Sequence, residues 1–183
     1  MLHKKYIFLP LLLLTACGFE PLYVEKKHDN AWYFGGEFDT SISQEMAKVK
    51  VEPISDRFGQ ILRNDLIDLL SPKGQPKNPK YRLFVALSNK TETNQALRSD
   101  ITATRKMVKY RVKYYMTMGG ERVLNGDSVA YSSYDILANP YSTTMAKKKG
   151  DSDAASTIAN DISLRLGAYF HSIATNREEI NDF

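Results

Sequence analysis

The chain has 183 residues and a formal net charge of +4, with 25 Lys and Arg against 21 Asp and Glu. Its single cysteine excludes an internal disulfide, a zinc site built on thiolates and a two-cysteine redox motif. So small a charge excess argues against a general nucleic-acid binder, which needs a concentrated basic footprint. The length suits one domain with a buried core.

The first 16 residues have the three parts of a bacterial export signal. Lys4 and Lys5 precede the apolar stretch Tyr6–Leu14, and small residues follow it. This stretch is too short for a membrane span, which needs roughly 20 residues. We therefore expect residues 1–16 to be a signal peptide that is removed, which leaves 23 basic against 21 acidic residues.

The four residues Leu14-Thr15-Ala16-Cys17 have the form of a lipobox and predict a covalent lipid on Cys17. Two or more acyl chains anchor a protein stably, at about 0.8 kcal/mol per buried methylene. Gly18 stands where an aspartate commonly retains a lipoprotein in the inner membrane, so we expect the outer membrane, lipid-anchored on its periplasmic side. The alternative is an ordinary signal peptide ending at a cysteine by chance, which would release a free periplasmic protein.

Two periodicities organise the rest of the chain: alternation, typical of strands, and apolar spacings of three and four, typical of helices. Residues 17–45 show neither and are interpreted as an acylated tether that partly packs. The predicted elements are, in order, a strand at Met46–Glu52, a helix from Ser55 or Asp56 to Leu70, strands at Tyr81–Ser88, Val108–Met118 and Glu121–Ile136, and a helix from Asp151 or Asp153 to Ile173. Residues 177–183 are expected to form a tail.

The turns and the two amphipathic helices determine the predicted fold. Gly119-Gly120 turns the chain between two strands, and Asn125-Gly126 indicates a bulge. The first helix connects two strands and can carry a crossover between parallel neighbours, whereas the later strands pair as hairpins. Residues 46–176 are thus predicted to form an α+β two-layer sandwich, with two helices packed on a four-stranded mixed sheet.

No set of residues in the sequence predicts catalysis. His3 is removed with the signal peptide, His28 lies in the tether, and His171 stands alone on the last helix. The carboxylates at the start of that helix suit its dipole, and the Gly-Gly pairs lack the pattern of a phosphate-binding loop. We therefore expect no enzyme, no metal and no cofactor apart from the covalent lipid on Cys17.

Two stretches of the chain, Cys17-Gly18-Phe19-Glu20-Pro21-Leu22-Tyr23 and Ile54–Asn64, follow a pattern known from one family. They resemble the acylated start and the entry to the first helix of the LPS-assembly lipoprotein family, LptE. Tyr81–Leu87 resembles its second strand, and Thr104-Arg105 stands where such sequences often have a Thr-Arg pair. The resemblance covers most of the mature chain.

The resemblance implies a non-enzymatic plug inside the outer-membrane barrel subunit LptD, in a 1:1 complex. It also implies help with barrel assembly and contact with lipopolysaccharide. The small charge excess and the predicted export argue separately against nucleic acid as a partner. A small sandwich with a polar and aromatic sheet face is compatible with a barrel lumen, which is itself polar. The alternative is an accessory lipoprotein of another lipid-trafficking transporter or envelope-assembly complex.

Five cations within nine positions are candidates for contact with the phosphates of lipopolysaccharide: Arg105, Lys106, Lys109, Arg111 and Lys113. The last three are spaced by two and share one strand face, so several donors can meet one phosphate group. Arg105 is the first choice, from its family position as much as its charge. The alternative is a solvated face whose lysines discourage edge pairing. The run Lys147–Lys149 receives no role.

Overall fold

The computed structural model describes residues 32–33, 36–37, 40–97 and 103–181. The chain divides into two compact units, Met1–Glu37 and Phe38–Phe183. In the first unit, strand β1 (Trp32–Tyr33) pairs antiparallel with strand β2 (Gly36–Glu37). The predicted signal peptide and Cys17 lie outside the described residues.

The described part of the second unit is built from one four-stranded sheet and three helices. In chain order the elements are α1 (Thr40–Met46), β3 (Val49–Val51), α2 (Asp56–Leu70), β4 (Tyr81–Leu97), β5 (Ala103–Met118), β6 (Glu121–Asp135) and α3 (Pro140–Asn181). Within the described residues, no helix has the length and apolar character to cross a membrane.

The sheet has the strand order β3-β4-β5-β6. β3 is parallel to β4, with Val49 opposite Tyr81, because α2 returns the chain to the same end of the sheet. The other neighbours are antiparallel. Gly119 and Gly120 turn the chain with φ of 60° and 93°, a region that side chains rarely occupy. The predicted α+β sandwich with a four-stranded mixed sheet is confirmed.

The core lies between the sheet and the helices α2 and α3. Phe58 of α2 stacks on Tyr110 of β5, with 4.6 Å between ring centroids and 8° between ring planes. From α3, Ile158, Ile162 and Leu166 follow one another at spacings of four and are fully buried. Each such side chain contributes about 1.5–3 kcal/mol by leaving water. The apolar stripes predicted for both helices therefore face the sheet.

Helix α3 begins at Pro140, so the predicted start at Asp151 or Asp153 is wrong. Proline suits a helix start, where its missing N–H is not needed. The first three turns lack an apolar stripe and are held by other contacts. Nζ of Lys147 donates to Oε1 of Glu92 at 2.8 Å, and Gly150 approaches Ser132 so closely that a Cβ would collide with its hydroxyl. At the other end α3 continues to Asn181, so residues 177–181 are helical.

Other boundaries also differ from the predicted ones, and β5 begins at Ala103 and not at Val108. Residues Thr40–Met46, within the predicted tether, form helix α1, so the first strand of the domain begins at Val49 and not at Met46. β4 continues past Ser88 to Leu97. The Ser55 side chain precedes α2 but makes no capping hydrogen bond.

The bulge in β6 lies at Val123 and not at the predicted Asn125-Gly126. Met116 is opposite Leu124, whereas Thr117 is opposite Arg122, so Val123 is the extra residue. Gly126 stays in register and has a packing role instead. A Cβ there would lie 2.6 Å from the hydroxyl oxygen of the buried Tyr114, so only glycine leaves room for that ring.

Candidate ligand-binding face of the sheet

The helices cover one side of the sheet, and the other side forms what we call the outer face. A strand directs alternate residues to opposite sides. On β5 the even positions from Val108 to Met116 are buried against the helices, so the odd positions lie on the outer face. These are Arg105, Met107, Lys109, Arg111, Lys113, Tyr115 and Thr117.

The structure divides the five predicted cations between two sides of the sheet. Arg105, Lys109, Arg111 and Lys113 share the outer face. Lys106 occupies an even position of β5 and so lies on the helix side of the sheet, where its Nζ is 3.8 Å from Oε2 of Glu92. Four of the five therefore lie on one side of the sheet, and Lys106 lies on the other.

Arg105 forms an ion pair across two strands. Its Nε donates to Oδ1 of Asp135 at 2.8 Å, and both side chains are about half exposed. This hydrogen bond from Arg105 holds the pKa of the Asp135 carboxyl below its ordinary value. An exposed pair of this kind contributes little to stability. A phosphate that approaches Arg105 must compete with Asp135.

Lys109 and Arg111 lie in a shallow depression of about 510 Å³ on the outer face. Its lining is Asn89, Thr91, Thr93, Met107, Lys109, Arg111 and Tyr131. Nζ of Lys109 stands 5.5 Å from the ring centroid of Tyr131, within the range of a cation–π contact. Two cations beside hydroxyl and amide groups, with no carboxylate in the lining, suit an oxyanion carried on a sugar or another polar group.

Lys113 lies beyond this depression, towards the turn between β5 and β6. It is opposite Asp127 on β6 and Ala86 on β4. A carboxylate in the directly opposite position lowers the net charge around this lysine. The strongest concentration of unopposed positive charge among the four outer-face cations is therefore at Lys109 and Arg111.

The solved structures that share this fold include three bacterial lipoproteins. A candidate lipoprotein from Caulobacter crescentus matches with a TM-score of 0.59 and 21% identity, covering 70% of this chain and 94% of that one. A minor lipoprotein from Acinetobacter baumannii matches with a TM-score of 0.50 and 17% identity, covering 66% of this chain and 90% of that one. Rare lipoprotein B from Shewanella oneidensis matches with a TM-score of 0.50 and 10% identity, covering 71% of this chain and 98% of that one. The fold is one found in bacterial lipoproteins.

The likeness to these lipoproteins is one of fold. No protein-family model matches the sequence, and no curated protein matches it. At identities of 21% or less, the shared architecture does not carry the ligand or the partner of one protein to another.

Sequence reasoning missed the residues that complete the depression. Thr91 lies opposite Lys109, and Asn89 lies opposite Arg111, after a register shift between Leu87 and Asn89. The predicted second strand ended at Ser88, so these partners fell outside it. Tyr131 belonged to a predicted strand. Alternation along that strand from Asn125 places Tyr131 on the same side as Asn125, and this was the one sequence signal for its position on the outer face.

A metal-binding cluster is absent from the described residues, and two lysines of the run Lys147–Lys149 are already paired. In the described residues, no three His, Cys, Asp or Glu side chains are grouped so as to hold a metal ion. Within the run Lys147–Lys149, Lys147 pairs with Glu92 and Lys149 pairs with Asp153 at 3.0 Å. Cys17, the predicted acylation site, lies outside the described residues.

Proposed function

We propose that this protein is an outer-membrane lipoprotein, acylated at Cys17, that plugs and helps to assemble an LptD-type barrel in a 1:1 complex. It contacts lipopolysaccharide through its outer face and has no catalytic activity of its own. The lipid anchor holds it at the periplasmic mouth of the barrel. This raises the local concentration of the plug without any new protein contact.

The observation that carries this proposal is the asymmetry of the sandwich. One side of the sheet is sealed by α2 and α3, whereas the other combines cations, hydroxyls and aromatic rings in the open. Barrel lumens are lined by polar residues, so a polar face of this kind is compatible with enclosure in one. The fold shared with bacterial lipoproteins and the lipobox before Cys17 support the same location.

Contact with lipopolysaccharide is assigned first to Lys109 and Arg111. Neither forms an ion pair within the described residues, and both line one depression. The phosphates of lipid A are dianionic groups that suit bidentate and point-charge donors. Arg105 and Lys113 flank these two but stand near Asp135 and Asp127, so we assign them a secondary part. Lys106 is assigned none.

The decisive experiment is a mild-detergent pull-down of the tagged lipoprotein from outer membranes. We expect a large β-barrel subunit in equal amount. Recovery of inner-membrane transporter subunits alone would favour the accessory-lipoprotein alternative, and recovery of no partner would contradict the plug. Palmitate labelling, with Cys17→Ala as the unlabelled control, tests the anchor separately.

Binding of lipopolysaccharide is tested with the double charge reversal Lys109→Glu and Arg111→Glu. We expect this variant to retain the barrel in the pull-down but to lose crosslinking to lipopolysaccharide. The matched control is Lys148→Glu, an exposed lysine on α3 that is away from the outer face. Equal crosslinking in all three proteins would overturn the assignment of the ligand site.

A further inference from the structure

A second concave surface lies on the outer face, at the end of the sheet near the turn between β5 and β6. It encloses about 650 Å³. Its lining is Pro79, Lys80, Arg82, Phe84, Tyr115, Thr117, Gly119, Gly120 and Arg122. Three of these residues are cations and none is a carboxylate. The surface is thus chemically suited to an anion, and the proposed contact with lipopolysaccharide does not use it.

The centre of this surface is a stack of three flat groups. Phe84 and Tyr115 are cross-strand neighbours whose rings stack at 4.8 Å with 13° between their planes. The guanidinium of Arg122 lies 4.3 Å from the Tyr115 ring centroid. Stacking on an aromatic face leaves the N–H edge of a guanidinium available for two parallel hydrogen bonds. Arg122 thus lies over the Tyr115 ring, and within the described residues its guanidinium has no hydrogen-bond or ion-pair partner.

Arg122 is also the least neutralised of the three cations. Arg82 pairs through Nη1 with Glu52 at 2.8 Å, and Lys80 pairs with Glu45 at 3.1 Å. Among the residues that the structure describes, no carboxylate lies within ion-pair distance of Arg122. Three cations against two neighbouring carboxylates leave a net positive charge at the stack, and Gly119 and Gly120 add no side chain that would block it.

We propose that this surface binds a phosphate-bearing ligand with an apolar or planar portion. Arg122 and the unpaired donors of Arg82 receive the phosphate oxygens, and the ring stack of Phe84 and Tyr115 contacts the remainder of the ligand. The phosphate comes either from a phospholipid headgroup or from a free phosphorylated small molecule. Both sources present non-bridging phosphate oxygens to the arginines, a phospholipid as a singly charged phosphodiester and a phosphorylated small molecule as a phosphate monoester.

The test is an NMR titration of the full-length lipoprotein in nonionic detergent at low ionic strength. The two probes are phenyl phosphate and monomeric dihexanoylphosphatidylglycerol, each followed at the Gly119 and Gly120 amides and at the Arg122 Nε–H. We expect saturable shifts at these groups. Arg122→Gln should weaken binding about tenfold, as loss of a charge-assisted hydrogen bond implies. Lys148→Gln, the matched control, should leave it unchanged.

The two probes distinguish the two sources. Tighter binding of the phosphatidylglycerol supports a lipid headgroup, and tighter binding of phenyl phosphate supports a free phosphorylated compound. No saturable shift, or equal affinity in the wild type and Arg122→Gln, would overturn the proposal. If Arg122→Gln fails to fold, Phe84→Leu provides the second variant and should weaken phenyl phosphate more than inorganic phosphate. No barrel is needed, so the result is independent of the pull-down.

Discussion

The phenolic hydroxyl of Tyr110, in the middle of β5, donates a hydrogen bond to Oδ1 of Asp151 on α3. The same carboxylate oxygen lies 3.3 Å from Nζ of Lys90, and that ammonium stands 5.0 Å from the Tyr110 ring centroid. Burial, together with the hydrogen bond to Asp151, raises the pKa of the Tyr110 hydroxyl well above its ordinary value. A part-buried polar contact thus joins β5 to α3 at Asp151.

We predict that Asp151→Ala lowers the free energy of unfolding by about 1–3 kcal/mol, because the buried Tyr110 hydroxyl loses its acceptor. Urea unfolding measures the loss. The control is Asp153→Ala, which removes only an exposed pair with Lys149 and should cost less than about 1 kcal/mol. Similar losses in the two variants would contradict a structural role for the Tyr110 contact.

Glu92 makes stability depend on acid pH. The hydrogen bond from Lys147 is the main cause that lowers the pKa of its carboxyl, and the charges of Lys106 and Lys90 act in the same direction. A lowered folded-state pKa contributes stability that is present above the unfolded value and is lost as pH falls through the folded one. Unfolding should therefore become easier as pH drops below about 4.5.

We predict that Glu92→Gln is slightly less stable than the wild type at neutral pH, by under about 1 kcal/mol, since the pair is partly exposed. It should also lose less stability between about pH 5 and about pH 3. Melting temperatures measured across this range give the comparison. The control is Glu121→Gln, because Glu121 is exposed and has no ion pair within the described residues, and its melting temperatures should follow those of the wild type across the pH range. If the melting temperatures of Glu92→Gln also ran parallel to those of the wild type, Glu92 would not be the source of the pH dependence.

The strands could be predicted because burial on one side of a sheet leaves a local signal of period two. Val108 and Tyr110 alternate with Lys109 and Arg111 in the sequence, and the structure buries the first pair only. The first turns of α3 left no such signal. They are held by the contact of Lys147 with Glu92 and by the close approach of Gly150 to Ser132. Both contacts join residues that are distant in sequence, so a local pattern cannot predict them.

The outer face could be predicted only in part for a related reason. Alternation identified Lys109 and Arg111 correctly as neighbours on one side, and the same alternation places Lys106 with Val108 on the other. The second half of the depression comes from β4 through the pairing of Thr91 with Lys109. That pairing depends on a register shift after Leu87, and the local sequence pattern does not predict this shift.

Two helical glycines predict opposite effects of the same substitution. At Gly59 in α2, a Cβ would lie 2.5 Å from Cγ2 of Ile54 and 3.2 Å from its carbonyl carbon. At Gly167 in α3, the nearest atom is Sδ of Met46 at 3.9 Å, an ordinary contact. Alanine is favoured over glycine in a helix by up to about 1 kcal/mol, but overpacking a core costs about 1–3 kcal/mol.

We therefore predict that Gly59→Ala destabilises the protein by about 1–3 kcal/mol and that Gly167→Ala stabilises it by up to about 1 kcal/mol. Chemical denaturation of the two variants side by side gives the sign of each change. Each serves as the control of the other, because the substitution and the helical setting are the same. If Gly59→Ala were more stable than the wild type, the Ile54 side chain would be able to move away from the new Cβ without loss of stability.

The last helix provides the sharpest test of the core. Leu166 is completely buried against the sheet, whereas Leu164, two residues earlier, is 75% exposed. Leu166→Ala should lower the free energy of unfolding by about 2–5 kcal/mol, from lost burial and the cavity left behind. Leu164→Ala should change it by no more than about 0.5 kcal/mol. Because both variants delete the same atoms from the same helix, their difference isolates packing on the sheet, and equal losses would mean that α3 does not lie on the sheet in this rotation.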